Sequence, residues 1–225
     1  MKKKLFVILT VSVLGLLLYW RTEMYPFTNR VLEDAKGVAT IKPGKKLKDG
    51  DIIFQTSKSS QSRAIQLATN SKYSHMGTIY ENDGRFYVYE AVQPVKLTPL
   101  KEWTNRGENG SYVVKRLKNA DEVLTKEVLA KMKETGEKYK GKPYDIYFEW
   151  TDDKIYCSEL VWKIYKYGAG IEIGQLEKLS DFDLTSGAVQ SKMKERYGDK
   201  VPLNEKVISP AAMFNSDKLM TVEEK

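Results

Sequence analysis

The stretch YCSELVWKIY, residues 156–165, decides the fold. Apolar side chains follow Cys157 at spacings of three, four and seven residues, which places them with the cysteine on one face of a helix. They are Leu160, Val161 and Ile164. A face this apolar is expected to be buried, so the pattern predicts a helix that carries its first residue into the interior of the protein.

This predicted helix extends from Cys157 to Tyr167, and Gly168 and Gly170 are expected to end it. A thiol in the first turn lies at the positive end of the helix dipole, which favours the thiolate. The unpaired N–H groups of the same turn can donate hydrogen bonds to an oxyanion. A lone cysteine on an apolar helix face is also typical of a packed core residue. The stretch alone therefore leaves a nucleophile and a core cysteine open.

The chain of 225 residues contains one cysteine, Cys157, and one histidine, His75. One cysteine cannot form an intramolecular disulfide, which excludes a small disulfide-stapled scaffold. Two such residues are also too few for a zinc site of clustered Cys and His ligands. No metal or other cofactor is therefore predicted, and any chemistry of these two residues is expected to join them to each other.

A hairpin is predicted around His75. Asp83-Gly84 lies between two β-rich segments and is a strong signal for a two-residue type I′ loop. With these residues in the loop, Gly77 lies opposite Glu90, and His75 shares their face of the ribbon. His75 and Glu90 then become diagonal neighbours, about 7–8 Å apart at the backbone. A carboxylate there can hold one imidazole nitrogen and orient the other.

Other periodic segments complete an α+β domain. Strands are predicted at Ile52–Gln55, Ser74–Tyr80, Phe86–Val92 and Tyr112–Leu117. Further helices are predicted at Ser62–Thr69, which a serine-rich turn can cap, at Asp121–Lys138 and near Ala188–Tyr197. The predicted order gives a strand-rich middle flanked by helices.

The N-terminus is predicted to be a membrane anchor. Three lysines, Lys2–Lys4, precede an apolar segment from Leu5 to Trp20, and no small-residue cleavage pattern follows. We therefore expect an uncleaved anchor over residues 1–21, a tether over 22–47 and a catalytic domain over 48–225, outside the cytoplasmic membrane. Secretion after signal cleavage is the alternative. The net charge of +7 favours anionic partners, but no nucleic-acid motif organises it.

Several short motifs together resemble a known family of papain-like hydrolases. The stretches Gly141–Asp145 (GKPYD) and Tyr156–Trp162 (YCSELVW) are similar to the nucleophile region of the NlpC superfamily. The histidine, in Ser74–Gly77 (SHMG), precedes the cysteine, an order that resembles the circularly permuted branch typified by YiiX and YaeF. The opening Gly50–Phe54 and the closing Ile208–Ala212 also resemble that branch, and the similarity covers essentially the whole domain.

The resemblance implies a circularly permuted papain-like fold, in which a small antiparallel sheet or barrel packs against the nucleophile helix. Carried over by position, Cys157 is the nucleophile, His75 the general base and Glu90 the orienting acid. Tyr144 matches the tyrosine that assists the oxyanion in the ordinary family. Tyr156, which stands where that family usually has aspartate, is a further candidate for oxyanion or substrate binding.

The implied function is that of a cysteine hydrolase cleaving an amide bond through a thioester. Glu159 stands where glycine is usual, and this difference beside the nucleophile changes the expected cleft floor. The substrate therefore stays open between wall peptides and lipid-derived acyl groups, and a lipid acyl hydrolase or acyltransferase is the alternative. The sequence is also compatible with a silent lipid- or wall-binding module, and with a scaffold that docks a partner through Asp121–Lys138. It does not indicate an oligomeric state.

Overall fold

The computed structural model describes residues 47–225, in which strands and short helices alternate. The strands are β1 (Ile52–Gln55), β2 (His75–Asn82), β3 (Arg85–Glu90), β4 (Lys96–Pro99), β5 (Val113–Leu117), β6 (Glu177–Lys178), β7 (Lys206–Val207) and β8 (Leu219–Glu224). The α-helices are α1 (Ser60–Thr69), α2 (Leu100–Arg106), α3 (Ala120–Val123), α4 (Lys126–Glu137), α5 (Cys157–Lys163), α6 (Gly187–Tyr197) and α7 (Pro210–Phe214). The predicted α+β class is confirmed.

Six strands form one antiparallel sheet in the order β4-β3-β2-β1-β5-β8, and β6 and β7 form a separate two-stranded ribbon. The hairpin between β2 and β3 has the predicted register, since Asn82 pairs with Arg85 and Thr78 with Tyr89. Asp83 and Gly84 both have positive φ, 50° and 74°, as a type I′ turn requires. The turn therefore fixes which residues of β2 and β3 share a face.

Helix α5 is buried on all sides. Every residue from Cys157 to Lys163 is buried, and the three predicted core side chains of this segment, Leu160, Val161 and Ile164, are fully so. They belong to the same core as Met76 and other buried residues of the sheet. Burial on this scale anchors the helix, because each aliphatic side chain removed from water contributes roughly 1.5–3 kcal/mol. The backbone of Cys157 is thereby held against the start of β2.

Of the two glycines predicted to end this helix, Gly170 is confirmed and Gly168 is wrong. The chain continues beyond α5 as a π-helical segment, Ile164–Ala169, and ends at Gly170, whose φ is 73°. Gly168 is needed for packing: a Cβ there would lie 2.6 Å from the Cα of Met132, a backbone atom of α4. Glycine at this position lets two helical segments approach closely and does not end either of them.

Other boundaries also differ from the predictions. The helix expected over Asp121–Lys138 is divided into α3 and α4, because Thr125 caps α4 with its hydroxyl oxygen, which accepts from the N–H of Val128. The strands β4 and β8 and the helix α2 were not predicted. In contrast, the serine-rich turn does cap α1, where the side chain of Ser59 accepts from the N–H of Ser62.

The predicted anchor over residues 1–21 and all but the last residue of the predicted tether over 22–47 lie outside the described residues. Within residues 47–225, no helix has both the length and the hydropathy to cross a bilayer. The described residues belong to one compact unit.

Candidate active site

Cys157 is the first residue of α5 and is almost completely buried, with 2% of its surface exposed. Its sulfur is hydrogen-bonded to the His75 side chain and receives backbone hydrogen bonds from Met76 and Ser158. Burial alone would raise the pKa of the thiol, but the hydrogen bond and charge of His75 outweigh burial and lower the pKa below its usual value. The environment of Cys157 therefore favours the thiolate.

His75 begins β2, directly beside α5. Its Nε2 lies 2.6 Å from Glu90 Oε2, which leaves Nδ1 as the ring nitrogen available to Cys157. Burial opposes the charged imidazolium, but hydrogen bonds to Cys157 and Glu90 more than compensate and raise the pKa of His75 to about 9. The pKa shifts of His75 and Cys157 both favour a thiolate–imidazolium pair.

Glu90 ends β3 on the face that the hairpin register shares with His75. The carboxylate is fully buried and accepts hydrogen bonds from three side chains: His75, Thr98 (Oγ1 to Oε1, 2.5 Å) and Arg106, which also forms an ion pair with it. Burial opposes ionisation, but these donors prevail, and the pKa of Glu90 falls to about 2. Glu90 therefore stays charged and holds the imidazole in one orientation.

The ring of His75 is also held from one side. The fully buried Trp103 stacks on it with ring centroids 5.8 Å apart and an interplanar angle of 25°. Trp103 and Arg106 lie three residues apart on α2, so one short helix contacts both His75 and Glu90. Thr98 comes from β4, the strand just before it.

Tyr144 approaches Cys157 from the loop before α5. Its hydroxyl forms hydrogen bonds with the Cys157 side chain and with Gln61 Nε2, the latter at 3.1 Å. Burial, followed by the charge of Cys157, raises the pKa of Tyr144 well above its usual value, so the hydroxyl keeps its proton. Tyr144 is therefore a neutral hydrogen-bond donor beside the sulfur, at the position expected of an oxyanion-stabilising group.

The hydroxyl of Tyr156, unlike that of Tyr144, is bound to the backbone. Tyr156 caps α5, is 1% exposed, and its hydroxyl oxygen accepts the N–H of Ile208 at 3.1 Å. Its ring packs edge-on against Phe148, with centroids 5.1 Å apart. Tyr156 therefore contributes a wall to the pocket beside Cys157, while its hydroxyl oxygen is engaged by the backbone of Ile208.

Two pockets adjoin the cysteine–histidine pair. The first, which reaches Cys157, is almost entirely apolar and lies between α1, α6 and the segment after β7. Its apolar lining includes Ile65, Phe148, Leu179, Phe182, Val189, Met193 and Ile208. The second, which reaches His75, is lined mainly by serine and glutamine side chains and by Arg106. Gln61, Ile65 and Tyr144 line both pockets, so the two pockets adjoin beside Tyr144, and Cys157 lines only the first.

Comparisons with known proteins show the family of this chain. A family profile described as a permuted papain-like amidase enzyme, the YaeF/YiiX or C92 family, matches residues 46–223. The chain belongs to this family. It is 52% identical over 173 residues to the uncharacterized protein YiiX of Escherichia coli (strain K12), an alignment covering 77% of this chain and 84% of that protein.

A solved structure from the same family gives the same fold. The crystal structure of the metalloprotein YiiX from Escherichia coli O157:H7 is 50% identical, superposes with a TM-score of 0.76, and covers 79% of this chain and 97% of that one. Its description as a metalloprotein belongs to that protein. Between residues 47 and 225 of this chain, no group of three or more His, Cys, Asp and Glu side chains is arranged to hold a metal ion.

The structure brings together four of the predicted site residues, Cys157, His75, Glu90 and Tyr144. Sequence reasoning missed the residues that support them. Thr98 and Arg106 lie on elements that were not predicted. Trp103 was not among the predicted site residues. The spacing of Trp103 and Arg106 on one helical face was a usable signal, but nothing local connects that face to His75.

Proposed function

We propose that this C92-family protein is a cysteine amidase that cleaves its substrate through a thioester intermediate. The observation that carries the proposal is the hydrogen-bonded series from Cys157 through His75 to Glu90, with the Nε2–Oε2 distance of 2.6 Å. The series contains a nucleophile, a base and an orienting carboxylate, which is the minimum arrangement for nucleophilic catalysis by a thiol. Membership of an amidase family supports the amide bond as the target.

Acylation begins with attack of the Cys157 thiolate on the substrate carbonyl carbon, which forms a C–S bond and moves an electron pair to the carbonyl oxygen. Two donors stabilise the resulting oxyanion: the backbone N–H of Cys157, which has no intrahelical acceptor in the first turn, and the Tyr144 hydroxyl. The imidazolium of His75 then donates its Nδ1 proton to the leaving nitrogen. The C–N bond breaks, the amine departs, and a thioester on Cys157 remains.

Deacylation uses the same groups in reverse. Neutral His75 removes a proton from water, and the hydroxide attacks the thioester carbonyl to form a second oxyanion. Collapse of that intermediate breaks the C–S bond, releases the carboxylic acid and regenerates the thiolate beside the imidazolium. Glu90 keeps the ring oriented throughout and stabilises its charged form, as the carboxylate of a catalytic triad does.

A second candidate function, lipid acyl hydrolysis or acyl transfer, is favoured by the apolar pocket. A pocket lined by side chains such as Ile65, Phe182 and Met193 fits a hydrocarbon chain better than a charged peptide, because apolar ligand surface gains roughly 25 cal/mol per Å² when it is buried. An acyl chain there would present its carbonyl to Cys157 as an ester, a thioester or an amide. Transfer would differ from hydrolysis only in the acceptor that attacks the thioester.

We place the reaction at the outer side of the cytoplasmic membrane. Support comes from the three lysines at residues 2–4 and the apolar segment after them, which are typical of an uncleaved signal anchor with its positive end in the cytoplasm. Fractionation of cells expressing the tagged full-length chain, with protease added to intact spheroplasts, tests this placement. Loss of the domain to external protease agrees with it, and protection contradicts it.

The function is tested by offering wall-derived muropeptides and mixed phospholipid vesicles to the purified full-length chain. Released amines, released fatty acids and the acyl-enzyme mass are measured for wild type, Cys157→Ala and His75→Ala. Amine release with a thioester adduct on Cys157 supports the amidase, and fatty-acid release supports the second candidate. Binding of either material without turnover, unchanged in Cys157→Ala, contradicts both and indicates a non-catalytic module.

A further inference from the structure

A hydrogen-bonded relay of two polar side chains extends from α6 to Tyr144. Arg196 Nη2 donates to Gln61 Oε1 at 2.8 Å, and Gln61 Nε2 donates to the Tyr144 hydroxyl at 3.1 Å. The Tyr144 hydroxyl is in turn hydrogen-bonded to Cys157. All members of this relay line the pocket that reaches the sulfur, and Gln61 and Arg196 have no role in the chemistry described above.

The donors and acceptors of the relay have only one consistent arrangement. A guanidinium has donors and no acceptor, so Arg196 must face the amide oxygen of Gln61. The amide nitrogen of Gln61 therefore faces Tyr144, and an amide nitrogen donates only. The Tyr144 oxygen accepts from Gln61, and its own proton is left to point towards Cys157.

Arg196 is itself held in place. It lies in the last turn of α6, where the helix dipole favours a cation, and its guanidinium carbon stands 5.0 Å from the centroid of the Phe148 ring. Gln61 lies in the first turn of α1, which packs against α6. The orientation of the Gln61 amide is therefore set by a cation fixed on a neighbouring helix.

We propose that Gln61 and Arg196 are positioning residues that direct the Tyr144 hydroxyl proton at the reacting centre. In the free protein the proton is donated to the Cys157 thiolate, and during the proposed amidase reaction it is donated to the oxyanion. Only the second part rests on the proposed function. The first part concerns the free protein and is measurable without a substrate.

Gln61→Glu separates this role from a purely structural one. Glutamate has nearly the same size and keeps its contact with Arg196 as an ion pair, so a simple bridge between α1 and α6 would tolerate it. A carboxylate, however, accepts hydrogen bonds and does not donate them. Tyr144 would then donate to residue 61, and its proton would turn away from Cys157.

The test is the pH dependence of alkylation by iodoacetamide on the full-length chain, in which Cys157 is the only cysteine. Wild type, Gln61→Glu, Tyr144→Phe and the double variant are compared, with thermal unfolding as a check on folding. Loss of one charge-assisted hydrogen bond to the thiolate should raise the alkylation midpoint by about one pH unit in each single variant. Gln66→Glu, on the same helix and outside both pockets, is the control for the added charge. Gln66 Nε2 donates to Ser62 Oγ at 3.0 Å, and a carboxylate there can accept from that hydroxyl instead.

In the Tyr144→Phe background, the proposal expects Gln61→Glu to raise the midpoint no more than Gln66→Glu does, because the hydroxyl that it redirects is absent. An equal rise in both backgrounds would overturn the relay and leave only a charge effect. Turnover gives a second readout: with 4-nitrophenyl acetate as the probe, kcat should fall about 10²-fold in Gln61→Glu, with KM nearly unchanged. If Gln61→Glu leaves hydrolysis unchanged, the relay is refuted but the hydrolase is not. If the alkylation midpoints shift as expected but the wild-type chain shows no turnover, only the hydrolase is refuted.

Discussion

The site contains two fully buried carboxyl groups, Glu90 on the sheet and Glu159 on the nucleophile helix. Their pKa values differ widely. Glu90, on the sheet, receives hydrogen bonds from three side chains, and its pKa falls to about 2. Glu159, on α5, has Lys163 Nζ at 2.7 Å and one long bond from the Tyr156 N–H at 3.4 Å, and burial raises its pKa to about 8. Burial is common to both residues, so the donors decide the charge.

The two residues therefore differ in role: Glu90 supplies a negative charge to the site, and Glu159 does not. Glu90 is ionised at every physiological pH and can stabilise the imidazolium of His75. Glu159 is close to neutral where the protein would work, although it lies only two residues from the nucleophile. Nearness to Cys157 in the sequence is therefore a poor guide to function here, and the number of hydrogen-bond donors is a better one.

Glu90→Gln should have the largest effect. The amide matches the shape of the carboxylate but carries no charge, and it presents an N–H₂ group to donors that need an acceptor. We expect the acylation rate of Cys157 to fall about 10³-fold or more, as for the corresponding change in a serine triad. Burst kinetics with 4-nitrophenyl acetate measure this rate. A fall of less than 10-fold would mean that His75 is oriented without Glu90.

The second-largest expected effect is on stability: the contributions of Glu90 and Glu159 to the free energy of unfolding should depend on pH in opposite directions. The pKa of Glu90 is about 2 in the folded protein and about 4.5 in the unfolded chain, so its contribution is present above pH 4.5 and is lost as the pH falls towards 2. For Glu159, whose folded pKa is about 8, the contribution is present below pH 4.5 and is lost as the pH rises towards 8. The Glu90 effect is on the order of 3 kcal/mol.

Urea unfolding from pH 2 to pH 9 measures both slopes on the full-length chain. Glu90→Gln should reduce the slope of the free energy of unfolding against pH below pH 4.5. Glu159→Gln should reduce that slope between pH 4.5 and 8. His75, with a folded pKa of about 9, loses its own contribution between pH 6.5 and 9, so the alkaline slope should persist partly in Glu159→Gln. Slopes unchanged by either variant would contradict the contrast between the two carboxyl groups.

Thr98→Val should have a smaller effect, because it removes one of the three donors of Glu90. A hydrogen bond to a charged group contributes about 1.5–3 kcal/mol, so we expect roughly the lower of these values in free energy of unfolding and a fall of several-fold in acylation rate. Thr78→Val is the matched control: this threonine is also fully buried, in β2, but its hydroxyl has no partner in the described structure. Equal losses in the two variants would show that Thr98 acts only through packing.

The parts of this site that the sequence predicted are those that a local signal fixes. Asp83-Gly84 sets the hairpin register, and the register places His75 beside Glu90. A single cysteine at the start of an apolar helix and a single histidine leave little choice of partners. The fold class followed from the same strands and helices, together with the order of the family motifs.

The donors that give Glu90 its charge were not predictable in this way. Thr98 lies on KLTP, a four-residue strand that is too short for a clear periodic signal and ends in proline, and only pairing with β3 makes it a strand. Arg106 reaches Glu90 from a seven-residue helix, and nothing in the local sequence connects that helix to the carboxylate. The wrong helix end at Gly168 has the same origin, because its contact with Met132 exists only in the folded protein.

Glu159→Gln should have the smallest effect, and it tests the comparison most sharply. Glutamine keeps an oxygen for the Tyr156 N–H, and Lys163 retains Thr151 O at 2.8 Å and Asp152 Oδ1 at 2.7 Å. No buried charge loses its only partner, so the free energy of unfolding near pH 7 should change by less than about 1 kcal/mol, and kcat by less than about 3-fold. Urea unfolding and 4-nitrophenyl acetate turnover measure the two quantities beside Glu90→Gln. A loss approaching that of Glu90→Gln would mean that Glu159 is ionised in the folded protein. The site would then depend on two buried carboxylates, and the number of donors would no longer explain why only one of them works.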